Sequence, residues 1–389
     1  MQNLGNPKGM KDILITESSR KAVLQEKLKQ YIKSCGFNRI ETPLFEYYGL
    51  FSGDTASVTE ENIIKLIDTE GKVVALRPDI TIPAARVVAT KLKEYRKPLK
   101  LFYSGNVYRR SSKENGAGSE FCQIGAEIYG DTGIWPDIEL LSMARECLEE
   151  AAVTDYKIDI GDIGIVKGVF EGLSLEEESK AYLEALIHGK NLVELENEVS
   201  GLDICDRDKE IICKLPCLFG KPEDVFEGIG QIIVNDTVEK SVNYLYKLCG
   251  GLKELGLGPS LIVDAGMTTN IKYYTGLIFK AYAKGTSSVV ISGGRYDGLL
   301  EAMGYSCPAA GFAVYVDGLI KASMKQTAYE QKDRKLLVIY SGERFAEAYG
   351  YAKSCRKNGI AVNLINPGSS FDLLQYKKQY GYDELVSYE

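Results

Sequence analysis

Histidine is almost missing from this chain: there is one, His188, in 389 residues. The nine cysteines are scattered, and none forms a CxxC pair. Cys205, Cys213 and Cys217 come closest to a cluster, but with a single histidine the usual donor set for zinc is not available. The simpler reading is free, buried thiols in a reducing cytosol. Long apolar runs are also lacking. No stretch reaches the roughly 18 apolar residues that a membrane helix needs, and the opening MQNLGNPKGMKDIL has no apolar run of signal-peptide length. A cytoplasmic chain without membrane contact is therefore expected. Positive charge is not in excess either. Lys plus Arg number 47 against 54 Asp plus Glu, a net charge of −7, which argues against a general nucleic-acid binder. Gly293, Gly294 and Gly298 make a glycine-rich turn, but no GK[ST] follows, so this is not a P-loop.

What is present is an ordinary globular balance. A hydrophobic fraction of 45% and a charged fraction of 26% fill a core, and the length suits one large domain with a smaller one. Leu24, Leu28, Tyr31, Ile32 and Cys35 recur at helical spacing after Thr16, a candidate N-cap, and Gly36 ends that helix. FNRIETPLFEY reads as extended, with Pro43 at a strand edge or bend. KVVALRP, KLFYSGNVYR and EFCQIGAEIYG read as strands, then a helix from about Pro136 to Ala152, then the strand YKIDIG. From about 166 to 255 the pattern turns helical, opening on a capping box at Ser174 and Glu177. Strand character resumes at SLIVDAG, KYYTGLIFKAY and SSVVISGG, with a helix expected near Tyr296. A helical insertion thus interrupts a mainly antiparallel sheet. Two domains are expected, 1–325 and 333–389, the second holding KLLVIYS, a helix and AVNLIN as a βαβ-like unit.

Four blocks, in order from Gly9 to Leu319, carry a resemblance. They are GMKDIL with the following helix and GFNRIETPLFE; LRPDIT at 76–81; VYRRSSKENGAGSEFCQIGAE at 107–127; and KYYTGLIF at 272–279, continuing into GGRYDGLLEAMG and AAGFAVYVDGL. Singly, each has a plain reading: Tyr273 and Tyr274 as sheet packing, Arg109 and Arg110 as a solvated face, Asp79 as a turn residue. Together, and in this order, they resemble the histidyl-tRNA synthetase branch of the class II synthetases. The resemblance implies an α+β fold: a class II synthetase-like antiparallel sheet flanked by helices, a helical insertion at about 166–255, and a C-terminal α/β segment similar to part of an anticodon-binding domain.

Making an adenylate requires stabilising charge on the attacking carboxylate and the phosphates, a task suited to arginine's planar fork. By the resemblance, Arg109 matches the arginine of the second class II motif. The loop after it is stripped: Ser111 stands at a glutamate position, and Ala117 and Ser119 replace arginines. Thr269 stands where the family has the arginine of RGLDYY, Lys272 follows at an acidic position, and the third-motif arginine falls on Gly318. The substrate pocket, by contrast, keeps its types. Asp79 and Thr81, with Gln123, match positions near the substrate amino group. Glu127 and Tyr273 match imidazole contacts, with Tyr274 beside them, and Arg109 can still meet a carboxylate.

Kept binding residues with lost reaction residues resemble the regulatory-subunit family of ATP phosphoribosyltransferase. That resemblance implies a non-catalytic chain with no cofactor. Its implied partners are a short-form ATP phosphoribosyltransferase catalytic subunit, a second copy of itself, and free histidine as effector. No tRNA is expected: from Lys335 to Glu389, seven basic residues face six acidic ones, which leaves no electrostatic footprint. The other readings are a divergent active histidyl-tRNA synthetase and a stand-alone histidine-sensing module. The loss of the arginine donors, each worth a few kcal/mol to a transition state of this kind, makes the first of these testable. Pyrophosphate exchange with histidine and ATP is expected to stay at background, and exchange clearly above it would refute the loss of adenylate chemistry.

Overall fold

Leu24, Leu28 and Ile32, four residues apart, form the buried stripe of a helix spanning Ile15–Ser34. The structure is a computed structural model and describes residues 4–110, 118–269, 271–326, 334–367 and 371–388. Ser111 and Ala117 of the stripped loop lie outside the described residues. The chain divides into two compact units, Met1–Ala328 and Tyr329–Glu389.

The first unit is built on a nine-stranded sheet among the described residues. Its centre is six antiparallel strands, in spatial order Leu99–Tyr108, Glu120–Tyr129, Ala309–Tyr315, Val289–Arg295, Leu277–Ala283 and Tyr156–Asp162. Parallel pairings occur only toward its ends, Asn38–Arg39 with the first of these strands and Leu261–Asp264 with the last. Glu120–Tyr129 is buried along almost its whole length. Because side chains alternate across a strand, Cys122, Ile124, Ala126 and Ile128 face one way. They join Leu24, Leu28, Leu140, Leu141 and Leu319 in the main core, under the helices Ile15–Ser34, Trp135–Glu150 and Val316–Gln326. Gln123, Gly125, Glu127 and Tyr129 face the other way, toward the short helix Thr81–Lys91. A small antiparallel sheet of Phe45–Tyr47, Val73–Leu76 and Lys65–Ile67 precedes that helix.

Between Tyr156–Asp162 and Leu261–Asp264 the chain is helical: Ile163–Phe170, Glu177–His188, Leu192–Ser200, Asp206–Lys214, Pro222–Gly228 and Asp236–Glu254. One two-residue strand, Phe219–Gly220, closes the sheet's far edge. The last of these helices is tied to the body through a buried node. Arg295 grips Asp137 with two nitrogens, Nε to Oδ2 at 3.1 Å and Nη2 to Oδ1 at 2.9 Å. Tyr244 donates its hydroxyl to the same carboxylate.

Several local expectations fail. The first helix starts at Ile15 after Leu14, and Thr16 lies inside it rather than capping it. The helix expected from Ser174 starts at Glu177 after Glu176, with no side-chain cap bond, so the capping box does not form. No α-helix begins near Tyr296. The chain turns there and makes only a short 3-10 turn at Glu301–Met303. KYYTGLIFKAY becomes a strand only from Leu277, because Tyr273 and Tyr274 turn inward as an aromatic pair instead. The cysteines are free, but only Cys122, Cys147, Cys249 and Cys307 are buried, and Cys205 and Cys217 are exposed. No helix among the described residues is long and apolar enough to cross a membrane.

The second unit is a three-stranded parallel sheet in the order Ala361–Ile365, Lys335–Tyr340, Glu384–Tyr388, with helices Phe345–Lys357 and Leu373–Tyr380. Its buried residues are few, chiefly Leu336 to Ile339 with Ala348 and Ala352.

The node in the first unit generates a prediction. The Asp137 side chain is 0% exposed, so Asp137→Ala takes away the buried, two-pronged counter-charge of Arg295 and leaves it only the half-exposed Asp297 carboxylate at 3.2 Å. Such a change costs about 3–5 kcal/mol, read as a lower denaturant midpoint. A loss under about 1 kcal/mol would mean that Asp297 and the Asp131 and Gly133 carbonyls suffice for Arg295.

Candidate functional site

The register of the central strands decides what lines the pocket. Glu127 sits opposite Gly311 on one neighbouring strand and opposite Leu101 on the other. A side-chain carbon on Gly311 would collide with the Glu127 carboxylate. Gly125, opposite Tyr103, is filled in the same way by the Tyr103 ring, and Gly294 by the ring of Tyr274. The missing side chains on the sheet thus make room for tyrosines and a glutamate to lie flat across it.

All seven residues singled out from the sequence, Asp79, Thr81, Arg109, Gln123, Glu127, Tyr273 and Tyr274, line one cavity. Its free space is about 30 Å³, room for roughly two waters. Four further residues that matter were not read from the sequence: Ser57, Ser292, Tyr296 and Tyr315. Tyr296 lies within the GGRYDGL block, and its only signal was that block's glycine-flanked position. Ser57 has no local signal at all.

Glu127 is 1% exposed. Thr81 donates to its Oε1 at 2.9 Å, and the Tyr296 hydroxyl donates to its Oε2. Thr81 also shares a hydrogen bond of 3.1 Å with the Tyr103 hydroxyl. Two hydroxyl donors do not replace water for an anion. Burial dominates and raises the Glu127 carboxyl to about 8, against the pull of Tyr296 and Thr81 and with Asp79 pushing the same way as burial. Asp79 is also buried and also raised, again chiefly by burial, although Ser57 and the Ile82 N–H donate to it. The Ile82 bond, 2.9 Å to Oδ1, anchors the start of the Thr81–Lys91 helix.

Arg109 brings the one positive charge among the pocket-lining residues. Its Nε donates to the Pro78 carbonyl at 2.9 Å, and its guanidinium lies 5.3 Å from the centre of the Phe121 ring. Gln123 is 2% exposed, and its Oε1 accepts no hydrogen bond among the described residues. A buried acceptor without a donor is costly. Tyr273 packs against Tyr274 and Tyr296 at 5.1 and 5.6 Å between ring centres, and the hydroxyls of Ser292 and Tyr315 meet at 2.8 Å. The arrangement offers carboxyl, amide and hydroxyl oxygens to N–H donors and one guanidinium to an acid.

None of the described positions that lost arginines is itself a lining residue, although Thr269 bonds to one, Ile271. Thr269 Oγ1 accepts from the Ile271 N–H at 3.1 Å. Lys272, at the acidic position of the same segment, is exposed, with its N–H on the Ala56 carbonyl at 3.2 Å. Ser119 is held between Gly9 and Arg109 by backbone bonds of 2.6 and 2.9 Å. Gly318 lies in the Val316–Gln326 helix against Val290. Among the described residues no group of three or more His, Cys, Asp or Glu is placed to hold a metal ion.

Sheet, flanking helices and pocket together define a class II synthetase-like core. The family model described as histidyl-tRNA synthetase matches residues 9–319. A histidyl-tRNA synthetase structure from Nostoc shares the fold at a TM-score of 0.80 and 20% identity, covering 98% of this chain and 90% of its own. A Bacillus halodurans structure described as an ATP phosphoribosyltransferase regulatory subunit/histidyl-tRNA synthetase superposes with a TM-score of 0.88 at 29% identity, covering 99% and 98%. Two relatives named ATP phosphoribosyltransferase regulatory subunit are similar over nearly the full chain. The one from Clostridium botulinum is 36% identical over 98% of this chain and 91% of its own. The one from Alkaliphilus metalliredigens is 32% identical over 98% and 96%. The chain belongs to the family of ATP phosphoribosyltransferase regulatory subunits.

The Glu127 carboxyl also sets a pH dependence of stability. Its folded value, about 8, lies above its ordinary value of 4.5, so the folded state holds more protons between the two. The contribution is fully present below about pH 4.5 and is lost as pH rises through about 8. Urea unfolding is expected to show stability falling between about pH 5 and pH 8, and Glu127→Gln is expected to flatten that slope. An unchanged slope in the variant would place the titration elsewhere.

Proposed function

We propose that this chain is the non-catalytic regulatory subunit of an ATP phosphoribosyltransferase, serving the first step of histidine biosynthesis and its feedback by histidine. The observation that carries the reading is the near full-length similarity to regulatory subunits at 32–36% identity. The pocket supports it from the chemical side. Acceptors for N–H groups persist in one cavity, while arginine is absent at Thr269, Ser119 and Gly318. The partner is a short-form catalytic subunit, which carries the catalytic residues. The location is the cytoplasm, and no tRNA is involved.

Histidine is the effector in this reading, held by Asp79, Thr81, Arg109, Gln123, Glu127, Tyr273 and Tyr274. Gln123 Oε1, buried without a donor, suits the α-ammonium, Arg109 suits the carboxylate, and Glu127 with Tyr273 suits the imidazole. A cavity of about 30 Å³ is too small for the whole molecule, so binding requires the lining to open further. A self-dimer is part of the proposal. Its support is the motif resemblance around GFNRIETPLFE and the exposed apolar side chains Phe45, Tyr47, Leu66, Ile67 and Val73 on the small sheet.

Two measurements test this reading. Mixed with the short transferase, the chain is expected to form a larger species by light scattering and to raise its activity, and failure to associate at micromolar concentration would refute the assignment. Glu127→Ala is expected to remove a charge-assisted hydrogen bond to histidine worth about 1.5–3 kcal/mol, or roughly 10- to 150-fold in affinity. The inhibition curve of the complex should shift to higher histidine by a related factor, with uninhibited activity near normal. Unshifted inhibition would place the effector outside this pocket.

A further inference from the structure

Glu127 is a carboxyl group in an unusual position. It is 1% exposed on the third strand of a nine-stranded sheet, and no Lys, Arg or His forms an ion pair with it among the described residues. Every element packed on it can be named. From its own strand comes the Tyr129 ring. From the strand on one side comes Tyr103, and on the other Gly311 leaves it space. From above come Thr81 and, just before it, the like-charged Asp79. Tyr296 closes the remaining side, and the Tyr273 and Tyr274 rings feel its charge. None of these groups is a cation, and Asp79, itself pushed up by burial, opposes ionisation of Glu127 when charged. Arg109, the cation of the same cavity, is turned to the Pro78 carbonyl through its Nε. At 1% exposure the Glu127 carboxyl is cut off from bulk water, which disfavours its charged form. The neutral carboxyl is therefore the resting form, in line with the upward displacement to about 8 described above.

A ligand changes this balance. An N–H donor against the carboxylate supplies what the walls lack, favouring the ionised form. We infer that effector binding is coupled to proton release: Glu127 carries a proton in the closed pocket and surrenders it to solvent when an N–H group of the ligand takes its place. The step balances as a carboxylic acid plus a neutral N–H ligand group giving a carboxylate–N–H hydrogen bond plus one proton in the buffer. This rests on the reading that the pocket holds free histidine. It goes further by stating the protonation state in which histidine is sensed, with a bound neutral imidazole. The consequence is a sensor that tightens as pH rises toward 8 and loosens under mild acid.

The test is titration calorimetry of the full chain with L-histidine in buffers of different ionisation enthalpy. Close to one proton per histidine is expected to leave at about pH 7, and about half a proton at about pH 8, with affinity rising roughly five-fold between them. Glu127→Gln keeps the side-chain shape but has no proton to release, so its binding enthalpy is expected to be the same in all buffers. Wild-type protein that binds histidine with no buffer dependence would overturn the proposal, because the proton would then have stayed on the protein or moved to the imidazole. Release persisting in Glu127→Gln would overturn it by assigning the proton to another group, Asp79 first. If no histidine binds wild-type protein in any buffer, the pocket reading itself falls, a result distinct from either of these.

Discussion

The period-two alternation of Glu120–Tyr129 governs most of what lies around it. This strand is buried on both faces, so neither set of side chains is free to slide. Ile124, Ala126 and Ile128 are fixed under the helical layer, and that fixes Gln123, Gly125 and Glu127 on the opposite side. A one-residue slip would drive a carboxyl and an amide into the core and turn isoleucines toward the pocket. The glycines at 125 and 311 reinforce the register, because only in this alignment do Tyr103 and Glu127 find space. Packing on one face is thus what places binding groups on the other.

Much of this was legible in the residues, for identifiable reasons. Five of the six central strands show as extended, β-rich runs, whereas Ala309–Tyr315, mostly alanine and glycine, carries no such signal. The helix Ile15–Ser34 shows through the spacing of Leu24, Leu28 and Ile32. All seven candidate pocket residues came from the ordered blocks, and the cavity brings them together. Besides the helix expected near Tyr296 and the late strand start at Leu277, two kinds of departure are instructive. Caps at Thr16 and Ser174 were local rules overridden by context, since the helices start elsewhere and leave those hydroxyls outside the capping position. Tyr296 and Ser57 were missed because their roles depend on partners far off in the chain: Tyr296 meets Glu127 across 169 positions, and Ser57 meets Asp79 across 22. No periodicity reports such pairs.

The missing arginines leave little trace in the scaffold, which shows how separable the two jobs are. Gly318 has only ordinary contacts around it, and its neighbour Asp317 is engaged structurally. That carboxylate pairs with Lys21 at 2.8 Å and accepts the Cys122 N–H at 2.9 Å, joining two helices to the central strand. Thr269 likewise makes a local turn bond. Residues that hold the sheet and the helices together stand beside positions whose chemistry is gone, so reaction chemistry can be lost while the walls of the cavity stay in place.

The glycine contacts on the pocket floor carry a further consequence for how such a site changes over generations. Each floor glycine is a socket shaped by the side chain lying in it: Gly311 for Glu127, Gly125 for Tyr103, Gly294 for Tyr274. Enlarging a socket residue alone creates a clash, and shrinking its occupant alone leaves a void beneath the ligand. At Gly311 and Gly294 a backbone carbonyl also stands in the way, that of Ala126 and that of Leu277 respectively, so those two glycines are held whatever their occupants. Only at Gly125, whose nearest neighbours all belong to Tyr103, does a coordinated exchange open room. The signature of the pocket in a set of diverging relatives should therefore be fixed glycines at 294 and 311 beside a correlated pair at 103 and 125.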